Sequence, residues 1–531
     1  MNVSLMTPAE LRNLITGPDE LALIDLREGG TFSESHLLFA ISIPLSRLEV
    51  LIEGLVPLKS VKLVLCASAK DEDMTALGAS RLTSLGYSDI SVLEGGIEGW
   101  KAVGYELFSG VNVPSKAFGE FIETTYKTPH VQAHDIQRMK ADGEDFILLD
   151  SRPYTEFNAM NIPGGIDVPG AELAYRIHDM APDPKTKVVI NCAGRTRSII
   201  GAQSLINAGI PNSVMALENG TMGWHLAGLK LERGQTRSYS DVSPGAHDIA
   251  LIRAQAVRDR FGIKSIDEQT VLDWKKDTSR TTFYLDVRDP SEFNMAHWPG
   301  AKSAPGGQLV QATDKYVGVR RARLVLIDND GVRATMSASW LVQMGWYDVH
   351  IMPDASASFN TPEKPAPISL NYSTPSLSVN ELAKALNAGN CIVVDMATSL
   401  QYRDKGHIPG SWFAVRSNMP ENLSKIPNAN LLVLTSADGS FAEMVLADAL
   451  KSGRNVKVLE GGTQAWIDEG NPLEFGFSHM ADGPVDLWYK PYEFDDDDKD
   501  IEQAMEQYLS WEVDLVGQIE RDGTTEFKVF K

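Results

Sequence analysis

The chain has 531 residues, 43% apolar and 23% charged, with a net charge of −22. Single cores stop growing near ~250–300 residues, so this length implies several domains. The acidic balance disfavours nucleic acid and anionic membrane as partners. No apolar run reaches the ~18–20 residues of a bilayer span, and three cysteines are too few for a disulfide scaffold or a metal site.

The first ten residues carry neither the basic nor the apolar region of a signal peptide, so a reducing cytoplasm is the expected compartment. A first unit is expected over 1–110. It opens with the apolar run Leu21-Ala22-Leu23-Ile24 ending in Asp25, followed by Arg27. Glu34-Ser35-His36 comes next, then a second apolar strand over 61–65 that runs into a loop beginning at Cys66. The unit closes on Leu93-Glu94-Gly95-Gly96 and Trp100.

The same order returns three more times. The second unit, 129–235, has Phe146 to Leu149, Asp150 and Arg152, then Ile162-Pro163-Gly164. A strand over 188–191 runs into Cys192, and the unit closes on Leu217-Glu218-Asn219-Gly220 and Trp224. The third, 262–354, has Asp286 with Arg288, His297-Trp298-Pro299-Gly300, and a loop starting at Asp328. It lacks the Leu-Glu-Gly-Gly closure and has Ile351-Met352-Pro353-Asp354 instead. The fourth, 376–475, has Asp395 without the Arg, Gly406-His407-Ile408-Pro409-Gly410, a loop starting at Ser436, and Leu459-Glu460-Gly461-Gly462 with Trp466.

The separations from Asp25 to Cys66, Asp150 to Cys192, Asp286 to Asp328 and Asp395 to Ser436 agree to within one residue. Copies recur at roughly 110–140 residues, the size of whole α/β domains rather than solenoid units. Short continuous apolar runs read as strands buried on both faces. Each unit is therefore expected to be a parallel sheet with helices on both faces.

Polar and Pro-bearing stretches read as connections over 110–128 and 354–375. A polar stretch over 234–245 precedes a connecting helix over 249–261. An acidic run over 495–498 and a helix near 501–519 make up a tail over 476–531.

In open α/β sheets, ligands bind at the carboxyl ends of the strands. A loop joining such a strand to a helix offers free N–H groups and the positive end of the helix dipole, which together cradle an anion. A cysteine at the first loop position is expected to ionise readily there. In the second unit the loop is Cys192-Ala193-Gly194-Arg195-Thr196-Arg197-Ser198. Gly194 lets the backbone curl, Arg195 and Arg197 add positive charge, and Thr196 and Ser198 offer hydroxyl donors. Cys192 is thus read as a nucleophile.

The first unit's Cys66-Ala67-Ser68-Ala69-Lys70-Asp71-Glu72 places carboxylates where the second has Arg197 and Ser198. Cys66 is a possible second thiol in a degenerate loop. Asp328 and Ser436 stand at the nucleophile's position in the other two units, which are read as inactive. Cys391 opens a strand and reads as core packing. His36, His297 and His407 share one position, occupied by Asn161 in the second unit, and read as structural. Asp150 and Arg152 read as structural support for the loop.

Asp150-Ser151-Arg152, Ile162-Pro163-Gly164, Cys192 to Ser198 and Leu217 to Trp224 together resemble the rhodanese family of sulfurtransferases. The resemblance covers about four-fifths of the chain, as four tandem domains. It implies a persulfide intermediate on Cys192, a sulfur donor such as thiosulfate, a cyanide or thiol acceptor, and no cofactor or metal. Phosphatase relatives place the Arg six positions after the cysteine. Arg197 lies five after Cys192, a tighter loop that suits one sulfur atom better than phosphate. A scaffold built of degenerate domains, or one that binds sulfane sulfur without turnover, is the competing reading.

Overall fold

The computed structural model describes residues 3–360, 374–493 and 498–530. Four five-stranded sheets follow one another along the chain, every pairing parallel and all in one order. In sequence number within each domain that order is first, fifth, fourth, second, third. The strands that carry the aspartates, Leu21–Asp25, Phe146–Asp150, Thr282–Asp286 and Cys391–Asp395, sit inside their sheets. Each pairs with the strand that leads into the loop: Asp25 opposite Cys66, Asp150 opposite Asn191, Asp286 opposite Ile327, Asp395 opposite Thr435. The uninterrupted apolar runs fit because helices cover both sheet faces.

The domains are packed together. One apolar core runs through the first three, from Ala22 and Leu63 through Val188 and Leu205 to Leu324 and Ile351. The fourth domain has its own core and joins the first through polar contacts. Arg416 clamps Glu49 and Asp448, and Arg47 donates to the Met396 carbonyl. The connecting helix expected over 249–261 starts earlier, at Pro244–Phe261, capped by the Ser243 hydroxyl.

The first interdomain stretch departs from expectation. Residues read as a polar connection form the helix Val113–Tyr126. Pro114 lies in its first turn, where a missing N–H costs nothing, so the proline starts a helix rather than breaking one. Val113, Ala117, Phe118 and Ile122 are buried at helical spacing. Most of the linker over 354–375 and the acidic run over 495–497 lie outside the described residues.

The tail is a structural part of the molecule. Its segment before 493 crosses the first domain, where the Gly29 and Gly30 N–H groups donate to the carbonyls of Asp486 and Val485. The helix Asp498–Asp522 then lies along Val113–Tyr126 and over the Cys192 loop. Met505 and Leu509 pack on Ala193 and Met222, while Leu515 and Ile519 pack on Val113, Ala117 and Phe108.

Candidate functional site

Cys192 follows the strand Lys187–Asn191 and precedes the helix Thr196–Asn207. Among the described residues, no backbone carbonyl accepts from the N–H groups of Gly194 to Ser198. The first such bond runs from Ile199 N–H to the Arg195 carbonyl, 3.1 Å. These amides are therefore open donors at a helix N-terminus, and the Ser198 N–H reaches the Cys192 sulfur. The thiol donates to Ser198 Oγ at 3.6 Å, and that hydroxyl donates to the Arg195 carbonyl at 2.7 Å.

The closing motif locks the loop from below. Thr221 N–H donates to the Cys192 carbonyl and Met222 N–H to the Ala193 carbonyl. Gly220 has φ +55°, and a Cβ there would stand 2.3 Å from the Cys192 carbonyl oxygen. Gly96 and Gly462 meet the Ala67 and Ser436 carbonyl oxygens in the same way, at 2.5 and 2.1 Å. That close approach is why each of these closures ends in glycine.

Beneath the loop, Arg152 Nε donates to Asp150 at 2.9 Å, and its Nη2 donates to both Asp150 and the Met160 carbonyl. Asn191 completes the carboxylate's partners. The pair is almost fully buried. Asp25 with Arg27 and Asp286 with Arg288 repeat it. We expect Arg152→Met to lower stability by about 3–5 kcal/mol, because it strands a buried carboxylate. Thermal denaturation would measure this, and an unchanged midpoint would contradict it.

Both loop guanidiniums are engaged by carboxylates. Arg195 forms a bidentate pair with Glu120, at 2.7 and 2.8 Å, and also meets Glu123. Arg197 forms a bidentate pair with Glu156, at 2.8 and 3.1 Å, and donates to Gln308 of the third domain at 3.2 Å. Burial alone would lift the Glu156 carboxyl, but Arg197 overcomes it and holds it at about 2. The two guanidiniums, read in the sequence as positive charge beside the sulfur, are held in two carboxylate clamps. Glu120 and Glu123, from the unforeseen helix, hold Arg195. Glu156, from the helix Tyr154–Ala159, holds Arg197 close enough to act on the sulfur.

Cys192 is only 2% exposed. Burial pushes its thiol up, Arg197 and Ser198 pull it down, and Glu512 of the tail helix adds to the rise. The sequence expectation was the opposite direction. The reason is burial, which outweighs the pull of Arg197 and Ser198. A Cβ on Gly194 would meet Met222 at 3.0 Å, Glu512 Oε2 at 3.1 Å and Tyr508 at 3.4 Å. Lys116 enters from the helix Val113–Tyr126. Its ammonium stands 4.6–4.9 Å from the ring centres of Trp488, Tyr508 and Trp511.

The other loops hold different groups in the same frame. In the third domain the Asp328 carboxylate accepts from the Gly331 and Ala334 N–H groups, at 2.7 and 2.9 Å. The residue fills its own anion cradle. In the first domain Glu98 accepts from Ala69 N–H and Ser68 Oγ, both at 2.7 Å. Cys66 is fully buried in a separate core, and burial together with Asp25 pushes its thiol far up against the opposing Arg27. In the fourth, Ala442 N–H donates to Ser436 Oγ at 3.2 Å.

Cys391 lies in the fourth domain's core. The three histidines stack on Phe32, Phe293 and Tyr402 with centroids 3.5–4.0 Å apart, and each Nδ1 bonds a backbone carbonyl. Burial takes His36 down to about 4, leaving it neutral.

Comparison with known proteins decides the family. The Rhodanese-like domain family matches residues 7–103, 132–227, 269–360 and 378–469. The chain belongs to the rhodanese family. A solved thiosulfate sulfurtransferase from Pseudomonas aeruginosa is 44% identical and is matched over 100% of both chains, with a TM-score of 0.94. An HTH-type transcriptional regulator of Mycobacterium tuberculosis is 32% identical over 107 residues, which is 20% of this chain. The match spans 46% of that curated relative. The four rhodanese units therefore share one frame with a full-length relative of the same length, tail included.

Sequence reasoning found the rhodanese loop but missed its walls: Lys116, Glu120, Glu156, Trp488, Tyr508 and Glu512. One signal was present. Trp488, Tyr489, Tyr492, Tyr508 and Trp511 crowd a tail that was read only as acidic and helical. Among the described residues, no helix is long and apolar enough to cross a membrane.

Proposed function

We propose that this chain is a sulfurtransferase that moves sulfane sulfur from thiosulfate, or a related donor, to cyanide or a thiol through a persulfide on Cys192. The observation that carries the reading is the Cys192 loop. It seats a thiol at a helix N-terminus among amides that no backbone carbonyl claims among the described residues. Rhodanese membership and the full-length likeness to a thiosulfate sulfurtransferase support the reaction class.

Cys192 sulfur attacks the outer sulfur of thiosulfate. The S–S bond breaks, and sulfite leaves with its electron pair. The amides of Gly194 to Ser198 stabilise the charge on the departing group and then on the persulfide. Arg197, fixed by Glu156, supplies the nearest positive charge, while Arg195 fastens the loop to the helix Val113–Tyr126. The acceptor removes the outer sulfur and restores Cys192. The catalytic unit is 129–235. The first, third and fourth domains, whose loops hold Glu98, Asp328 and Ser436 in the equivalent cradle, serve as support.

The test is steady-state thiocyanate formation from thiosulfate and cyanide. A Cys192-dependent rate with ping-pong kinetics is expected. Binding of sulfane sulfur without turnover would favour the scaffold reading instead.

A further inference from the structure

The roof over Cys192 carries polar groups that the reaction above does not use. Glu512 is buried, and its Oε2 is aimed at Gly194 of the loop with no hydrogen-bond partner among the described residues. Its other oxygen accepts from Tyr508 O–H at 2.9 Å. Lys116 Nζ, Trp511 Nε1 and Thr196 Oγ1 are also buried without hydrogen-bond partners among those residues. A buried polar atom left unsatisfied is costly, and one site does not normally gather four of them without a use. All four belong to the loop or to the two helices packed on it and on each other. Thr196 belongs to the loop, Glu512 faces it, and Lys116 lies against the Trp511 ring.

Resting on the persulfide reading above, we propose that Glu512 is the catalytic base for thiol acceptors entering at Cys192. The incoming thiol gives its S–H proton to Glu512 Oε2. Its sulfur forms a bond to the outer sulfur of the Cys192 persulfide. The bond between that sulfur and Cys192 Sγ breaks, and the electron pair stays on Cys192 as thiolate. The product leaves as a hydropersulfide, taking the proton back from Glu512. No net oxidation or reduction occurs, and no further reactant is needed.

The surroundings suit a base. Burial lifts the Glu512 carboxyl, and Lys116 opposes the rise. A carboxylate tuned upward transfers protons better near neutral pH. Lys116, held against three rings, is pushed down to about 8 by burial, with Glu512 opposing the fall. The titratable and charged groups around Glu512 are Tyr508 on its own helix, Lys116 and Glu120 on Val113–Tyr126, and Arg195 and Cys192 on the loop. Arg197 and Tyr492 lie one layer further, against Tyr508.

The test uses full-length enzyme loaded with thiosulfate and freed of donor. Loss of the persulfide is then timed with two acceptors. One is 2-mercaptoethanol, which must lose a proton. The other is sulfite, which at mildly alkaline pH has none to lose. In Glu512→Gln the ratio of thiol rate to sulfite rate is expected to fall by about 10²-fold. The pH profile of the thiol reaction should also lose the rise that tracks Glu512 and follow the thiol's own ionisation. Glu512→Asp should restore part of the ratio. An unchanged ratio, or an equal fall with both acceptors, overturns the proposal. Wild-type enzyme that never loads sulfur on Cys192 would instead overturn the persulfide reading, an outcome seen before either acceptor is added.

Discussion

Cys192→Ser should reduce thiosulfate-to-cyanide transfer by at least about 10³-fold, to background, because a serine hydroxyl is a far weaker nucleophile than a thiolate and forms no persulfide. Cys66→Ser should stay within about twofold of wild type, in line with the small effect of substitutions remote from the chemistry. The two thiols occupy the same place in the same fold, so the contrast has to come from their surroundings. Arg197 draws Cys192 toward ionisation and the Ser198 hydroxyl accepts from it. Cys66 faces Asp25, and its loop amide at Ala69 is already taken by the Glu98 carboxylate. A bound anion would have to displace that carboxylate and then meet Asp71 and Glu72 of the same loop. Equal losses in the two variants would mean that sulfur passes through both domains.

Gly220→Ala is expected to damage both stability and sulfur transfer without touching a reacting group. The residue sits at φ +55°, and its new Cβ would lie 2.3 Å from the Cys192 carbonyl oxygen and 2.8 Å from the Gly194 carbonyl oxygen. Backbone on both sides cannot yield cheaply. We expect a destabilisation of about 2–3 kcal/mol. Sulfur transfer should fall by about 10²-fold as the loop amides are pushed off the sulfur. Gly462→Ala is the control. It makes the same collision with Ser436 at 2.1 Å, in a domain assigned no chemistry. It should cost similar stability and leave transfer within about threefold of the folded wild type. Thermal melts and thiocyanate assays on both variants measure this. Equal loss of activity in the two would place the fourth domain in the reaction.

The repeated frame was legible because its signals are local. Apolar runs ending in Asp fix the inner strands. Pro-Gly pairs mark the turns, and a glycine pressed against a carbonyl oxygen closes three of the four domains. The third domain shows how a lost signal is replaced: Asp354 takes the left-handed position at φ +60°, and Trp298 is buried in that core. The helix Val113–Tyr126 was misread because Pro114 is ambiguous in sequence, being both a linker residue and a helix starter.

The layer packed over the Cys192 loop was illegible for a different reason. Lys116 and Glu512 meet across nearly four hundred residues, and no spacing rule reaches that far. Its consequence is chemical. A thiol expected to ionise readily at a helix N-terminus is instead pushed up by burial, and Glu512 of the tail helix adds to the rise. Arg197 acts on the thiol, and the carboxylates that hold the two arginines, Glu120 and Glu156, could be assigned only from the packed structure.

The most direct measurement is peptide mapping by mass spectrometry after the protein is treated with thiosulfate. The peptide containing Cys192 should gain the mass of one sulfur atom, those containing Cys66 and Cys391 should not, and cyanide should remove the addition with one thiocyanate formed per chain. Sulfur found on Cys66 instead, or on no cysteine while transfer proceeds, would contradict the assignment of the second domain as the catalytic unit.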